Sequence, residues 1–411
     1  MFKKDIQYYK FCFYGFLKNL RFFEPFFILF LLEKNLSFLQ IGTLYAIREI
    51  AVNILEIPSG VFADAFGRRR SLVFSFIFYI GSFTIFYFSD NYVFFILSMI
   101  CYATGDAFRT GTHKAMIFDY LKLNNWKDQR THYYGHTRSW SQIGTAVSSL
   151  LAAFIVFIEG NYQSVFIYST IPYVLDMMLI ISYPKILDGP NKKADFKHIK
   201  KEMISISKEF IYSFKNIYVL KAINNLSVHS GFHKAIKDYL QPVLEMFAIS
   251  VPVLLAYTNK QKSALIIGIM FFIIYLLTAY GARRAGKIKD KLNSIELAIN
   301  VTMYIGFILA ILSGLFYHFS FYFVSILFYV GIYVIENIRN PIGVAYVSEL
   351  YRDDILATAL SANSQAKSLY AAIIAPLLGF LADKFDVGIA LCLVGLFLIF
   401  TSFLYLARKK T

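Results

Sequence analysis

The chain has 411 residues, 57% of them hydrophobic and only 16% charged, with a mean hydropathy of +0.54. Soluble globular domains carry about a quarter charged residues, so this composition excludes one and points to a chain lying largely in lipid. The formal net charge of +15 comes from Lys and Arg scattered over short segments, which excludes a folded nucleic-acid-binding surface and fits attraction to an anionic membrane leaflet.

The chain opens on a basic tetrapeptide, Met1-Phe2-Lys3-Lys4, ahead of an apolar run. That run contains Lys18, Arg21 and Glu24 and has no small-residue cleavage site, so it reads as a retained first helix and not a signal peptide. Apolar stretches of about 20 residues span a bilayer, and twelve are present. The first six cover 11–32, 38–63, 71–89, 92–120, 136–158 and 162–183. The second six cover 216–244, 262–282, 294–315, 320–348, 356–381 and 388–407, with 245–261 read as an outer loop.

The predicted architecture is an all-α membrane protein of two six-helix halves, residues 1–183 and 216–411. A basic linker at 184–215 joins them, with an amphipathic helix expected over 197–212 from Ile199, Met203, Ile206 and Phe210. Placing both termini in the cytoplasm puts 26 Lys and Arg in inner segments and 4 on the outer side, Lys34, Lys260 and Lys384 in loops and Lys262 at the edge of span 8, which sets the orientation. Cys12, Cys101 and Cys392 all fall inside apolar segments, so neither a disulfide framework nor a zinc site is expected.

Between spans 2 and 3 the chain reads Gly60-Val-Phe-Ala-Asp64-Ala-Phe-Gly67-Arg68-Arg69-Arg70, after Glu56-Ile-Pro-Ser. Gly60 is expected to admit a close backbone approach, and Gly67 to take dihedrals other residues avoid. The three arginines hold the turn at an aqueous face. This spacing resembles the loop between helices 2 and 3 of the major facilitator superfamily, although Ala65 stands where that family usually has Arg. After span 8, Ala279-Tyr-Gly-Ala-Arg283-Arg-Ala-Gly286-Lys287 is the matching loop of the second half, keeping glycine and positive charge without the acid.

The resemblance implies two helix bundles working by alternating access, with helices 1, 4, 7 and 10 lining a central cavity. It also implies that Asp64, Arg68 and their neighbours, with Gly60, Gly67 and Arg69, form a gating loop tying the halves together at the inner face. Ionisable residues near mid-span are costly unless they face protein or water. Those here are Arg21 and Glu24 on span 1, Asp106 and Arg109 on span 4, His229 on span 7, and Glu336 and Arg339 on span 10. The i,i+3 spacing of Arg21/Glu24, Asp106/Arg109 and Glu336/Arg339 places each pair on one helix side. His229, His233 and Lys237 continue outward at i,i+4,i+8.

These residues read as a substrate site rich in donors, suited to a small anionic or zwitterionic solute, with structural ion pairing as the competing account. Glu24, Asp106 and Glu336 are the candidates for proton coupling. Asp176 and Glu49 are read as structural partners. No Walker phosphate loop or nucleophile–base set is present, so neither an enzyme nor a cofactor is expected. The reading is a monomeric secondary active transporter of the cytoplasmic membrane, its partners a small-molecule solute, H+ and the lipid bilayer. The alternatives are a drug or toxic-compound efflux antiporter, a divalent-metal transporter using His229 and His233, and a passive facilitator. Arg109 resembles the helix-4 arginine of drug antiporters, but span 5 lacks their proline-glycine motif.

Overall fold

The structure, a computed structural model, describes residues 4–126, 129–189, 217–252, 256–292, 294–350 and 353–407. The amphipathic stretch expected at 197–212 lies outside the described residues. Among the described residues there are fifteen α-helices, linked by short 3-10 turns, and no strand.

In the first half these are α1 (Ile6–Leu17), α2 (Phe27–Glu33), α3 (Phe38–Phe66), α4 (Arg68–Phe88), α5 (Tyr92–Arg109), α6 (Thr112–Leu123), α7 (Arg130–Glu159) and α8 (Ser164–Ile181). The second half supplies α9 (Ile217–Ile236), α10 (Leu240–Ser250), α11 (Asn259–Lys291), α12 (Ile295–His318), α13 (Tyr322–Leu350), α14 (Asp353–Lys384) and α15 (Val387–Phe400). Among the described residues nine helices are long and apolar enough to cross a membrane. The remaining six pair as α1/α2, α5/α6 and α9/α10, which are predicted spans 1, 4 and 7, each broken in the middle.

Each break has a local cause. Span 1 leaves its helix at Lys18 and restarts through a 3-10 turn at Glu24–Phe26, whose Pro25 suits a first helical turn. Span 4 stops because Thr110 is extended (ψ 129°) and Gly111 takes φ +78°, a region that favours glycine. Span 7 passes through the 3-10 turn Lys237–Tyr239, with Pro242 in the first turn of α10. Helix α10 then runs to Ser250, so the loop expected from residue 245 is shorter than its sequence suggested.

Two further expectations are corrected. Gly60 meets no neighbour within 4 Å of a built Cβ, so it is not a site of close approach. The Ala279–Lys287 stretch is not a loop, because α11 continues through it to Lys291. Gly67, by contrast, does break the chain between α3 and α4, at φ +96°.

The chain forms two compact units. One comprises Met1–Phe27, Ala51–Lys201 and Ile267–Phe272; the other comprises Ile28–Ile50, Glu202–Ile266 and Ile273–Thr411. In the first, α4 packs on α5 and α8, and α1 packs on α7. Its core is aromatic: Phe23 stacks on Phe166 at 5.6 Å, and Phe83 meets Tyr173 edge-on at 4.9 Å. Lipid tails are as apolar as a helix face, so such geometry-specific ring contacts carry packing that burial alone would not. In the second unit, α12 lies between α13 and α15, and α9 packs on α14. Its core includes Leu226, Ile299, Ile338, Ile342 and Tyr346.

Candidate functional site

The broken ends of spans 1 and 4 meet in the first unit around a cavity of about 390 Å³. Lys18 caps the C-terminus of α1, and Arg109 is the last residue of α5. Both line the cavity, together with Tyr14, His113, Lys114 and Arg138. A cation at a helix C-terminus is favoured by the partial negative charge of its unpaired carbonyls, by about 0.3–1 kcal/mol. The chain therefore has a way to hold Lys18 and Arg109 at mid-span without an acid for each.

Arg109 is also held from the side. Its Nη2 donates to Asp106 Oδ1 at 2.9 Å, and its Nε donates to the Tyr79 hydroxyl at 3.0 Å. That hydroxyl in turn donates to Asp106 Oδ1 at 2.5 Å. Sequence spacing placed Asp106 and Arg109 together; Tyr79 on α4 completes a three-membered ring of bonds that no spacing along one helix reveals. Arg21 is half-buried near the same group, its electrostatic neighbours being Tyr102, Tyr173, Glu24 and Asp106. His113 stacks flat on Tyr14, with centroids 3.5 Å apart, and its Nε2 lies 3.2 Å from the Tyr183 hydroxyl.

Asp176 on α8 is fully buried, and neither of its carboxylate oxygens has a hydrogen-bond partner among the described residues. Lys18 and Arg109 are its charged neighbours. The structural ion pair expected for Asp176 is not formed among the described residues.

In the second unit, Glu336 accepts from His229 Nδ1 at 2.8 Å and from the Ser230 hydroxyl at 2.6 Å. His229 is fully buried, and its Nε2 points at Gly306, where a Cβ would come within 2.0 Å. Arg339 is 1% exposed and turns away from Glu336. It donates to the carbonyls of Ile299 and Asn225 (2.8 Å for the latter), to the Asn225 side chain, and to Thr302 Oγ1 at 3.1 Å. The i,i+3 pair expected of Glu336 and Arg339 is thus replaced by separate partners. Glu49, also in this unit, pairs with Arg48 at 2.8 Å and with Lys234. No three His, Cys, Asp or Glu side chains gather in a metal-binding group among the described residues.

The glycine-arginine turn is tied down within the first unit. Arg68 Nη1 bonds Asp119 Oδ2 at 2.5 Å, the Arg69 amide donates to Asp188 Oδ1 at 2.9 Å, and Arg69 Nη1 donates to the Tyr183 carbonyl at 2.7 Å. Asp64 is exposed and makes no hydrogen bond or ion pair among the described residues.

Lys18, Tyr79, Lys114, Arg138 and Asp176 are the site residues that sequence reasoning missed or set aside. Lys18 had a signal, a cation inside an apolar run, as did Asp176. Arg138 and Lys114 sat near predicted span ends, and Tyr79 was one of 30 tyrosines.

Comparison with known proteins agrees with this architecture. The MFS-type transporter YxaM of Bacillus subtilis, itself described as uncharacterized, is 25% identical over 406 residues, spanning 94% of this chain and 92% of that one. Among solved structures, the nucleoside transporter NupG superposes with a TM-score of 0.72 at 12% identity, covering 98% of this chain and 97% of that one. A POT family transporter in complex with a thioalcohol-conjugated peptide gives 0.74 at 14% identity, covering 97% and 94%. At these identities the structures share a fold with this chain and say nothing of its cargo. The model of the Major Facilitator Superfamily matches residues 11–369, and this multi-pass membrane protein belongs to the Major Facilitator Superfamily of transporters.

Proposed function

We propose that the chain is a secondary active transporter that moves a small anionic or zwitterionic solute across the cytoplasmic membrane by alternating access, coupled to protons. The observation that carries this reading is Arg109. It is a mid-span guanidinium held rigidly by Tyr79 and Asp106, and it still lines a cavity large enough for a small metabolite. A cation needed only for packing would be enclosed, as Arg339 is.

In this reading Arg21, Glu24, Asp106 and Arg109 serve as ligands from the first half of the chain, and His229 and Glu336 from the second, with the enclosed Arg339 as a strut behind them. Discontinuous helices at the level of the site are a recurrent way for transporters to present charge and free backbone groups to a solute. Glu24, Asp106 and Glu336 stand as carriers of the coupling proton, joined by Asp176, whose oxygens have no hydrogen-bond partner among the described residues. The bias of Lys and Arg supports cytoplasmic placement of both termini. Gly60, Asp64, Gly67, Arg68 and Arg69 form the gating loop, with exposed Asp64 as the group free to make and break a contact. A single chain is the working unit.

The test is uptake by purified protein in proteoliposomes, with and without an imposed proton gradient, against a panel of labelled anionic, zwitterionic and neutral metabolites. Arg109→Ala and Glu24→Gln are expected to abolish gradient-driven uptake while the protein still assembles. Wild-type rates in both variants would return these residues to a purely structural role.

A further inference from the structure

Four cations, Lys18, Arg109, Lys114 and Arg138, line the cavity of the first unit, and among the described residues no Asp or Glu does. Three of the four have no carboxylate partner among the described residues. Lys18 lies over the Tyr14 ring at 5.9 Å, Lys114 lies over Phe118 and Tyr134 at 5.4 and 5.5 Å, and Arg138 makes no ion pair. Only Arg109 is balanced, by Asp106. Counting Asp106 and the buried Asp176 as ionised, and setting Glu24 against Arg21, still leaves the cations in excess. Within a membrane-embedded fold, unbalanced positive charge facing a cavity is costly unless something else supplies the counter-charge.

The arrangement is also graded. Lys114 and Arg138 are exposed, whereas Lys18 and Arg109 are partly buried at the broken ends of α1 and α5. Exposed cations leading to less exposed ones focus the field along a cleft and raise the local concentration of anions. The helix ends that help hold Lys18 and Arg109 contribute only about half a charge each, less than the full charge of either side chain. The inner end of the cavity thus stays positive. His113, stacked on Tyr14, supplies an aromatic wall beside these cations.

We infer that this cavity is an anion site and that the cargo carries a carboxylate or phosphate group on a small body, bound by Lys18 and Arg109 after capture by Lys114 and Arg138. The inference rests on the transporter reading and narrows it, favouring anions over zwitterions because no acid among the described residues lines the cavity and Asp106, beside it, is already committed to Arg109 and Tyr79.

The experiment is a thermal-shift titration of the full chain in detergent at fixed ionic strength. Its four probes share one ring: phenyl phosphate, benzoate, benzyl alcohol and benzylamine. A ligand that binds the folded state raises its melting temperature saturably. One or both anions are expected to do so, the stronger of the two identifying the head group, while the alcohol and the amine leave the transition in place. Lys18→Gln is expected to raise the half-saturating concentration at least tenfold, as is the double variant Lys114→Gln/Arg138→Gln. Lys291→Gln, exposed at the end of α11, is expected to match wild type. Should Lys18→Gln fail to fold, the double variant decides, since both of its positions are exposed. No saturable shift with either anion, or an undiminished shift in the double variant, overturns the inference. Proteoliposomes that carry a neutral or cationic solute without binding anions would sink it and leave the transporter reading intact. Anion binding without translocation would do the opposite.

Discussion

Gly105 lies against the ring of Tyr79, so that a Cβ at residue 105 would stand 2.9 Å from Cγ and Cδ1 of that ring. The glycine lets α4 and α5 come close enough for the Tyr79 hydroxyl to reach both Asp106 and Arg109. Gly105→Ala is therefore expected to push Tyr79 out of register, at an overpacking cost of about 1–3 kcal/mol. It should lower both the melting temperature and the uptake rate. Gly60→Ala, with open space around it, should leave the melting temperature unchanged. Equal effects of the two changes on melting in detergent would contradict this account.

Tyr79→Phe tests the ring of bonds without disturbing its packing. It removes one donor to Asp106 and one acceptor for Arg109 while the aromatic contacts to Phe83, Tyr102 and Tyr173 stay in place. Loss of one buried partner costs about 1–3 kcal/mol, and here the loss falls on the orientation of Arg109. Protein yield is expected to hold, while uptake drops about tenfold or more, on the scale of 1.4 kcal/mol per decade. Uptake at the wild-type rate would show that Arg109 needs no brace.

The twelve spans were legible because each is a run of about 20 apolar residues, a signal that depends on composition alone. The breaks in spans 1, 4 and 7 were half-legible: Pro25, Gly111 and Pro242 stand at or near them. What could not be read was partnership between helices. Glu336 and Arg339 have the spacing of a pair, yet Glu336 turns to α9 and Arg339 to the carbonyls of α9 and α12. The mistaken loop at Ala279–Lys287 has a plain cause. Alanine, arginine and lysine are strong helix formers, so a motif that ends a helix at Gly67 fails to end one at Gly286.

Asp176→Asn separates a proton carrier from a structural acid. The change preserves shape and removes the titratable proton from a side chain whose two oxygens have no partner to lose. The melting temperature is expected to stay close to wild type, because no hydrogen bond among the described residues is broken. Solute exchange across proteoliposomes at equal pH is expected to continue, and accumulation driven by a proton gradient to stop. Gradient-driven accumulation at the wild-type level would remove Asp176 from the coupling path and leave Glu24, Asp106 and Glu336.

Arg339→Lys distinguishes a substrate ligand from a strut. The guanidinium spreads its donors over two backbone carbonyls, one amide oxygen and one hydroxyl, at 1% exposure. A lysine ammonium is a single point with three donors and cannot reproduce that planar fork. The expected cost is about 3–5 kcal/mol, the range seen when one side of a buried charge network is removed, and it should appear as poor yield and early melting in detergent. A ligand role predicts otherwise: near-normal melting with weakened solute affinity. Measuring yield, melting and affinity on the same preparation tells the two apart, because a strut fails before any solute is added.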